Sequence, residues 1–145
     1  MQKINNMPAR DKFHFECKTA LEKDGWTITH DPYRLKVESK RTYPIDLGAE
    51  KIIAAEKGTE KIAVEIKSFL QDSLANAFHE ASGQYLGYFL GLAQQEPDRI
   101  LYLALPKEEY AALEEIALAQ MVIEHINIRF IVFDTLTSTI VTWKK

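Results

Sequence analysis

Hydrophobic residues recur along this chain at two different spacings, and each spacing predicts a type of element. Spacings of three or four residues, as in Phe13, Cys17 and Leu21, are typical of an amphipathic helix. Alternation of apolar and polar residues, as in residues 61–67, is typical of a strand with one buried face. Applied to all 145 residues, the two spacings predict three helices and seven strands.

The predicted elements follow one another with short connections. The helices cover residues 9–24, 73–94 and 107–126, and the strands cover 26–29, 35–38, 52–56, 61–67, 99–105, 128–133 and 139–143. Gly25 ends the first helix, Pro106 precedes the third, and Gly58 forms the turn of a hairpin. Without repeats or a linker, residues 1–145 predict a single domain of α/β class with a mixed sheet.

The second strand of the hairpin carries the triplet Glu65-Ile66-Lys67. Because strand side chains alternate, Glu65 and Lys67 lie on the same side, roughly 7 Å apart, and this side is expected to face solvent. A regular hairpin about Gly58 places residue 51 or 52 opposite Glu65. Asp46, upstream in Pro44-Ile45-Asp46, then lies roughly 16 Å away in a straight strand, unless the chain bends near Gly48.

Asp46 together with Glu65-Ile66-Lys67 resembles the active-site motif of the PD-(D/E)XK nucleases. The predicted order α-β-β-β-α-β, with an additional C-terminal helix and strands, likewise resembles their restriction-endonuclease-like core. The resemblance implies that Asp46, Glu65 and the Ile66 carbonyl bind Mg²⁺, with Mn²⁺ as a substitute, and that Lys67 holds the attacking water or the scissile phosphate. Glu50 stays open as an alternative to Asp46, because one register sets it opposite Lys67.

Phosphodiester hydrolysis explains why such a site needs these residue types. The phosphate already carries negative charge, and attack by water adds more, which a carboxylate-bound Mg²⁺ stabilises. Mg²⁺ keeps several waters, so one or two carboxylates suffice. Glu16, on the first helix, is a further candidate ligand, because some members of the superfamily carry an extra acid there.

The long helix carries Gln84 and Tyr88 one turn apart, so both lie on one face. They resemble the Q-x-x-x-Y element of the RecB-like branch of the superfamily, which implies a catalytic role for Gln84 and substrate binding by Tyr88. In the same helix Gly83, Gly87 and Gly91 recur at every fourth position. This small-residue stripe predicts close packing against the sheet or a second subunit.

Three runs, at residues 23–32, 46–50 and 63–69, carry a more specific resemblance that extends from about residue 10 to 143. They resemble a narrower family, XisH, the cyanobacterial fdxN element excision controlling factors. The resemblance implies a role in programmed DNA excision and a companion protein of the XisI type. Two functions therefore stay open: a divalent-metal-dependent DNA endonuclease, and a non-catalytic accessory factor that keeps the nuclease fold and acts through protein partners.

Charge bears on this choice. The net charge is −3 and the pI is about 5.8, which counts against a nonspecific nucleic-acid binder and favours the accessory factor. Acids cluster at Glu108, Glu109, Glu114 and Glu115, whereas bases gather along the chain around the proposed site, at Arg34, Lys36, Lys40, Arg41, Lys51, Lys57, Lys61 and Lys67. This distribution predicts either a basic face for DNA or an ordinary mixed surface.

Location and partners follow from the remaining features. No apolar run approaches the roughly 18 residues that span a membrane, and the amino terminus lacks the apolar segment of a signal peptide. We therefore expect a cytoplasmic protein that does not bind membranes. Edge strands and the late strand pair leave apolar surface to cover, which predicts a homodimer or a complex with the companion protein.

Overall fold

A six-stranded mixed β-sheet forms the centre of the structure, a computed structural model that describes residues 12–37, 45–47, 52–69 and 73–145. In chain order the elements are α1 (His14–Lys23), β1 (Thr27–His30), β2 (Leu35–Val37), β3 (Ile45–Leu47), β4 (Ile52–Lys57), β5 (Glu60–Ile66), α2 (Leu74–Gln95), β6 (Ile100–Pro106), α3 (Lys107–Glu114), α4 (Ala117–Ile126), β7 (Phe130–Asp134) and β8 (Thr139–Lys144).

The strand order in the main sheet is β1-β4-β5-β6-β7-β8. Strands β5, β6 and β7 are parallel, and the other neighbours are antiparallel. Parallel neighbours need a long crossover connection, which α2 supplies between β5 and β6, and α3 with α4 between β6 and β7. The predicted α/β class with a mixed sheet is therefore confirmed.

Each face of the main sheet packs against helices. Ile62, Val64 and Ile66 of β5 share a core with Cys17 and Leu21 of α1. On the opposite face, Ala63 of β5 packs in a core that includes residues of α2, α3 and α4. The predicted alternation along β5 is thus confirmed, but both of its faces are covered.

A second, two-stranded sheet of β2 and β3 lies against α2. Lys36 donates its backbone N–H to Gln95 Oε1 at 2.9 Å, and Gln95 Nε2 donates to the Arg34 carbonyl at 2.9 Å. A Cβ atom built on Gly91 would lie 3.4 Å from Val37 Cγ2, so β2 packs directly against the helix backbone at this position. The close packing predicted for the small-residue stripe is therefore found at Gly91, where the partner is the second sheet. It is not found at Gly83 or Gly87, where an added Cβ atom would meet no described atom within 4 Å.

Two predicted elements are wrong in detail. Residues 107–126 form two helices, because a continuous helix would turn Ala119 about 120° away from Leu113, and both are buried in the same core. Gln120 Nε2 donates to the Leu113 carbonyl at 3.1 Å across the break. Strand β3 was not predicted as a strand of its own. The first helix begins at His14 within the described residues, whereas the predicted start at residue 9 lies outside them.

None of the helices in the described ranges combines the length and apolar character needed to cross a membrane.

The buried guanidinium of Arg99 joins several elements at one end of the sheet. It donates to the Ile62 carbonyl at 2.9 Å, to Glu96 Oε1 at 2.8 Å and to Glu56 Oε2 at 3.2 Å. Tyr33 completes the network by donating its hydroxyl to Glu96 Oε1 at 2.7 Å. Hydrogen bonding by Arg99 is the main cause that lowers the pKa of Glu96 from 4.5 to about 2. The network ties the hairpin β4–β5 and the start of β2 to the end of α2.

Substitution Arg99→Met should lower the free energy of unfolding by about 3 kcal/mol at pH 7, because it leaves Glu96 and buried carbonyl groups without their hydrogen-bond donor. Urea denaturation measures this change. Lys61→Met is the matched control: Lys61 lies 3.6 Å from Glu96 and 3.5 Å from Asp98 on the surface, so its loss should cost less than about 1 kcal/mol. Equal losses for both variants would contradict the role of Arg99.

The stabilities of wild type and Arg99→Met should also depend differently on pH. The folded-state pKa of Glu96 is depressed, so its stabilising contribution is complete above about 4.5 and is lost as the pH falls towards 2. The stability difference between wild type and Arg99→Met should therefore narrow over that window. A difference that stays constant from pH 7 to pH 3 would argue against the pairing.

Candidate functional site

Glu65 lies near the carboxyl end of β5, between β4 and β6. It is paired with Ile52 on one side and aligned with Leu103 on the other. The register predicted from the turn at Gly58 is thus confirmed. The expected exposure of Glu65 is wrong: the side chain is 0% exposed, because alternation places it on the face that α2 covers.

Tyr88 of α2 lies within electrostatic reach of this carboxylate. Burial, and to a smaller extent the charge of Glu65, raise the pKa of Tyr88 to about 12. The phenol therefore keeps its proton near pH 7, in the form that can donate a hydrogen bond. The helix thus brings one residue of the Q-x-x-x-Y pair to Glu65.

Gln84 lies one turn before Tyr88 on α2, and its side chain is half-buried. Its Oε1 atom is buried and has no hydrogen-bond partner among the described residues. A buried amide oxygen without a donor carries a desolvation cost. Gln84 is therefore not simply a solvated helix residue.

Lys67 follows the last residue of β5 and is half-buried. Its backbone N–H donates to the Ala104 carbonyl of β6 at 3.0 Å. Because successive backbone groups in a strand point to opposite edges, the Ile66 carbonyl faces away from β6, on the β4 side. The described part of β4 begins at Ile52, opposite Glu65, so the Ile66 carbonyl lies beyond that end of the described ladder.

Asp46 belongs to β3, where its backbone pairs with Lys36 of β2. The estimate of roughly 16 Å for a straight strand does not apply, since β3 belongs to the second sheet and does not continue β4. The neighbouring Leu47 lines a groove with Gly87 and Gly91 of α2, so the backbone at Asp46 lies beside the helix that carries Gln84 and Tyr88. The side chain of Asp46, and Gly48 and Glu50 entirely, lie outside what the structure describes.

The other candidates occupy different parts of the molecule. Glu16 lies on α1, which packs on the face of the sheet opposite to Glu65. Lys57 and Lys61, grouped with the site from their sequence positions, lie at the turn end of the hairpin, and Lys40, Arg41 and Lys51 fall outside the described ranges. No three histidine, cysteine, aspartate or glutamate side chains cluster into a metal site within the described residues.

Glu109 was missed as a residue of this region and was counted only among clustered surface acids. Ser68 donates its hydroxyl to Glu109 Oε2 at 3.1 Å, and the Phe69 backbone N–H donates to Glu109 Oε1. The carboxylate, in the first turn of α3, therefore holds the two residues that follow Lys67. The contact arises because β5 and β6 are adjacent parallel strands and α3 starts directly after β6, a neighbourhood that residue spacing alone does not reveal.

Comparison with known proteins gives a consistent result. The sequence model of the family described as XisH protein matches residues 7–141. A crystal structure of an XisH family protein from Nostoc punctiforme has a TM-score of 0.84 and 38% identity, covering 93% of this chain and 100% of that one.

The second similar structure is that of a fdxN element excision controlling factor protein from Anabaena variabilis. Its TM-score is 0.83 and its identity is 40%, covering 92% of this chain and 98% of that one. No curated protein matches the chain. The match to the family model and the two cyanobacterial structures together show that the chain belongs to the XisH family.

Proposed function

We propose that this protein is a divalent-metal-dependent DNA endonuclease of the PD-(D/E)XK type that acts in the excision of a DNA element. The observation that carries the proposal is the fully buried Glu65, with Tyr88 of α2 beside it and Lys67 two residues further on the same strand side. The name of the Anabaena relative, an fdxN element excision controlling factor, supports the excision context.

The described residues fit a hard divalent cation such as Mg²⁺ or Mn²⁺. An ionised carboxylate buried as deeply as Glu65 is costly unless positive charge compensates it. The Ile66 carbonyl faces away from β6 and supplies a second oxygen of the kind that Mg²⁺ prefers. Asp46 is the proposed third ligand, with Glu50 as the alternative. Glu16, expected from the sequence as a further candidate, is not part of this set, because α1 packs on the opposite face of the sheet. A bound Mg²⁺ would stabilise the charge that develops on the phosphate.

The remaining residues of the site have distinct proposed roles. Lys67 holds the attacking water or the scissile phosphate with its ammonium group. Tyr88 donates a hydrogen bond from its neutral phenol to the substrate, since its pKa of about 12 keeps the proton on the oxygen. Gln84 offers the buried amide oxygen and its NH₂ group to orient water or substrate. Glu109 acts only indirectly, by holding the backbone after Lys67.

A second candidate function is a non-catalytic accessory factor that retains the nuclease fold. The net charge of −3 favours it, because a protein that binds DNA through phosphate contacts alone is usually basic. For both candidate functions, the proposed partners are DNA and either a second subunit or a companion protein of the XisI type.

The surface of α2 offers a place for such a partner. Leu86, Phe89 and Leu90, here called the α2 patch, are 41%, 44% and 57% exposed, and they lie on adjacent turns. The late strands β7 and β8 offer less exposed apolar surface than the sequence suggested. Strand β7 is buried between β6 and β8, and the solvent-facing edge of the sheet belongs to β8. Contiguous exposed apolar groups are typical of interaction surfaces.

Isothermal calorimetry should detect one Mn²⁺ per chain, and Glu65→Gln should abolish this binding, because it removes the buried charge while keeping the volume. Glu60→Gln, at the other end of the same strand, is the matched control and should bind as wild type does. Equal binding by all three proteins would refute the metal site.

Lys67→Ala should lower Mg²⁺-dependent DNA cleavage about a hundredfold or more, since a positioned charge at a developing anion contributes about 3 kcal/mol. Its melting curve should change little, because Lys67 makes no ion pair among the described residues. Lys61→Ala, on the same side of β5, is the control and should cleave normally. Supercoiled, branched and single-stranded DNA should each be tested, with and without the companion. Wild type that cleaves none of them would favour the accessory factor.

Phe89→Glu should weaken association, because it places a charge in the centre of the α2 patch. Sedimentation velocity at high micromolar concentration, with and without the companion protein, measures this effect. Met121→Glu on α4 is the control, since Met121 is an exposed apolar residue of another helix. A monomeric wild type that is unchanged by the companion would contradict the proposed association.

A further inference from the structure

A cleft of about 520 Å³ opens at the opposite end of β5 from Glu65. It lies at Glu60, Lys61 and Ile62, at the start of the strand, and reaches Ile100 at the start of β6. Glu60 precedes Glu65 by five positions, roughly 16 Å along a strand. The cleft also uses the α1 face of the sheet, whereas Glu65 faces α2. It is therefore separate from the proposed nuclease site, and its volume falls within the range of about 300–1,000 Å³ of ligand pockets.

Three aromatic rings line this cleft. The ring centroids of Trp26 and Trp143 are 5.6 Å apart, and those of Tyr102 and Trp143 are 5.1 Å apart in an edge-to-face arrangement. Trp26 and Tyr102 are buried and form the floor, whereas Trp143 is half-buried and presents part of its ring to the cleft. The Trp26 indole nitrogen is buried without a hydrogen-bond acceptor in the part of the chain that the structure describes. A planar ligand with acceptor atoms suits such a surface.

The charge of the cleft differs in sign from that of the chain. The lining residues include four cations and three carboxylates, a difference of +1, whereas the whole chain carries −3. The cations are Lys57, Lys61, Arg129 and Lys145, and the acids are Asp24, Glu60 and Asp98.

Individual contacts show which cations remain able to bind an anion. Lys61 is shared between Glu96 and Asp98, so carboxylates already offset its charge. Lys57 donates to the Asp24 backbone carbonyl at 2.8 Å, a neutral acceptor, and forms no ion pair within the described residues. Lys145 lies 5.9 Å above the Trp143 ring, beside the partly exposed aromatic surface. The aromatic surface and the positive charge therefore coincide.

We propose that this cleft binds a nucleoside monophosphate unit, with the base against Trp143 and the phosphate near Arg129 and Lys145. Stacking on an aromatic ring accepts any base, and a cationic rim binds the phosphate, as in proteins that hold single-stranded nucleic acid. The same chemistry is present in a free mononucleotide and in a single DNA strand. This site is independent of metal and of the proposed cleavage reaction.

Intrinsic fluorescence tests the proposal directly, because both tryptophans of the chain, Trp26 and Trp143, line the cleft. The wild-type protein is titrated in EDTA with dTMP, thymidine, inorganic phosphate and a short oligothymidylate, with N-acetyltryptophanamide correcting for absorption by the base. Saturable quenching is expected with dTMP, with at least tenfold weaker binding of thymidine and of phosphate. Tighter binding of the oligothymidylate than of dTMP identifies a single strand as the ligand, and equal binding identifies the mononucleotide.

Variants locate the binding. Arg129→Gln should weaken dTMP binding at least tenfold, Trp143→Leu should do the same, and Trp143→Phe should restore most of the affinity. Lys36→Gln, a cation on the second sheet, is the matched control and should bind as wild type does. If circular dichroism shows that Trp143→Leu does not fold, the affinity of Arg129→Gln for dTMP alone tests the location of the site.

Three results would overturn the proposal. The first is no saturation by dTMP or the oligonucleotide at 10 mM nucleotide or below, a limit of about 3 kcal/mol in binding free energy. The second is equal affinity for phosphate and dTMP, which would leave only an anion site. The third is unchanged binding by Arg129→Gln and by folded Trp143→Leu. Glu65→Gln should bind dTMP as wild type does. The dTMP test therefore remains valid even if Glu65 proves not to bind metal.

Discussion

The burial of a single carboxylate, that of Glu65, is the constraint on which the rest of the structure depends. Strand β5 lies between two neighbours and is covered on both faces, a position that proteins normally fill with apolar side chains. Placing an acid there costs free energy that only a compensating charge or donor set can offset. A cost of this kind, retained at the end of a central strand, is expected where the acid has a chemical task.

Helix α2 connects this acid to the rest of the fold. Its middle part brings Tyr88 close to Glu65. Its last turns contact the second sheet of β2 and β3 through Gly91 and Gln95. Its end is tied to the hairpin by Glu96 and Arg99. The contacts at the end of α2 therefore help to set the position of the turn that carries Gln84 and Tyr88. A Cβ atom at Gly91 would lie in van der Waals contact with Val37 and Leu35, so the second sheet, and Asp46 with it, packs closely against the helix at this position.

The sequence predicted those features that depend on local geometry. The turn at Gly58 sets the hairpin register, so residue 51 or 52 was expected opposite Glu65, and Ile52 is found there. Alternation correctly separated Glu65 from Ile66. Alternation says which side a residue occupies but not what covers that side, so the burial of Glu65 was missed. Strand β3 was missed because three residues carry too little periodicity, and its partner is an equally short strand. The break between α3 and α4 and the contact of Glu109 with Ser68 depend on tertiary packing that spacing does not encode.

Binding of a divalent cation by the buried Glu65 carboxylate is the central proposal. Anomalous scattering from crystals grown with Mn²⁺ tests it most directly, because the signal locates the ion without reference to activity. We expect one strong anomalous peak at about 2.0–2.4 Å from a Glu65 carboxylate oxygen, near the Ile66 carbonyl, and no peak there in Glu65→Gln crystals. Saturating Mn²⁺ that leaves no peak beside Glu65, or a peak that persists in the variant, would contradict the account.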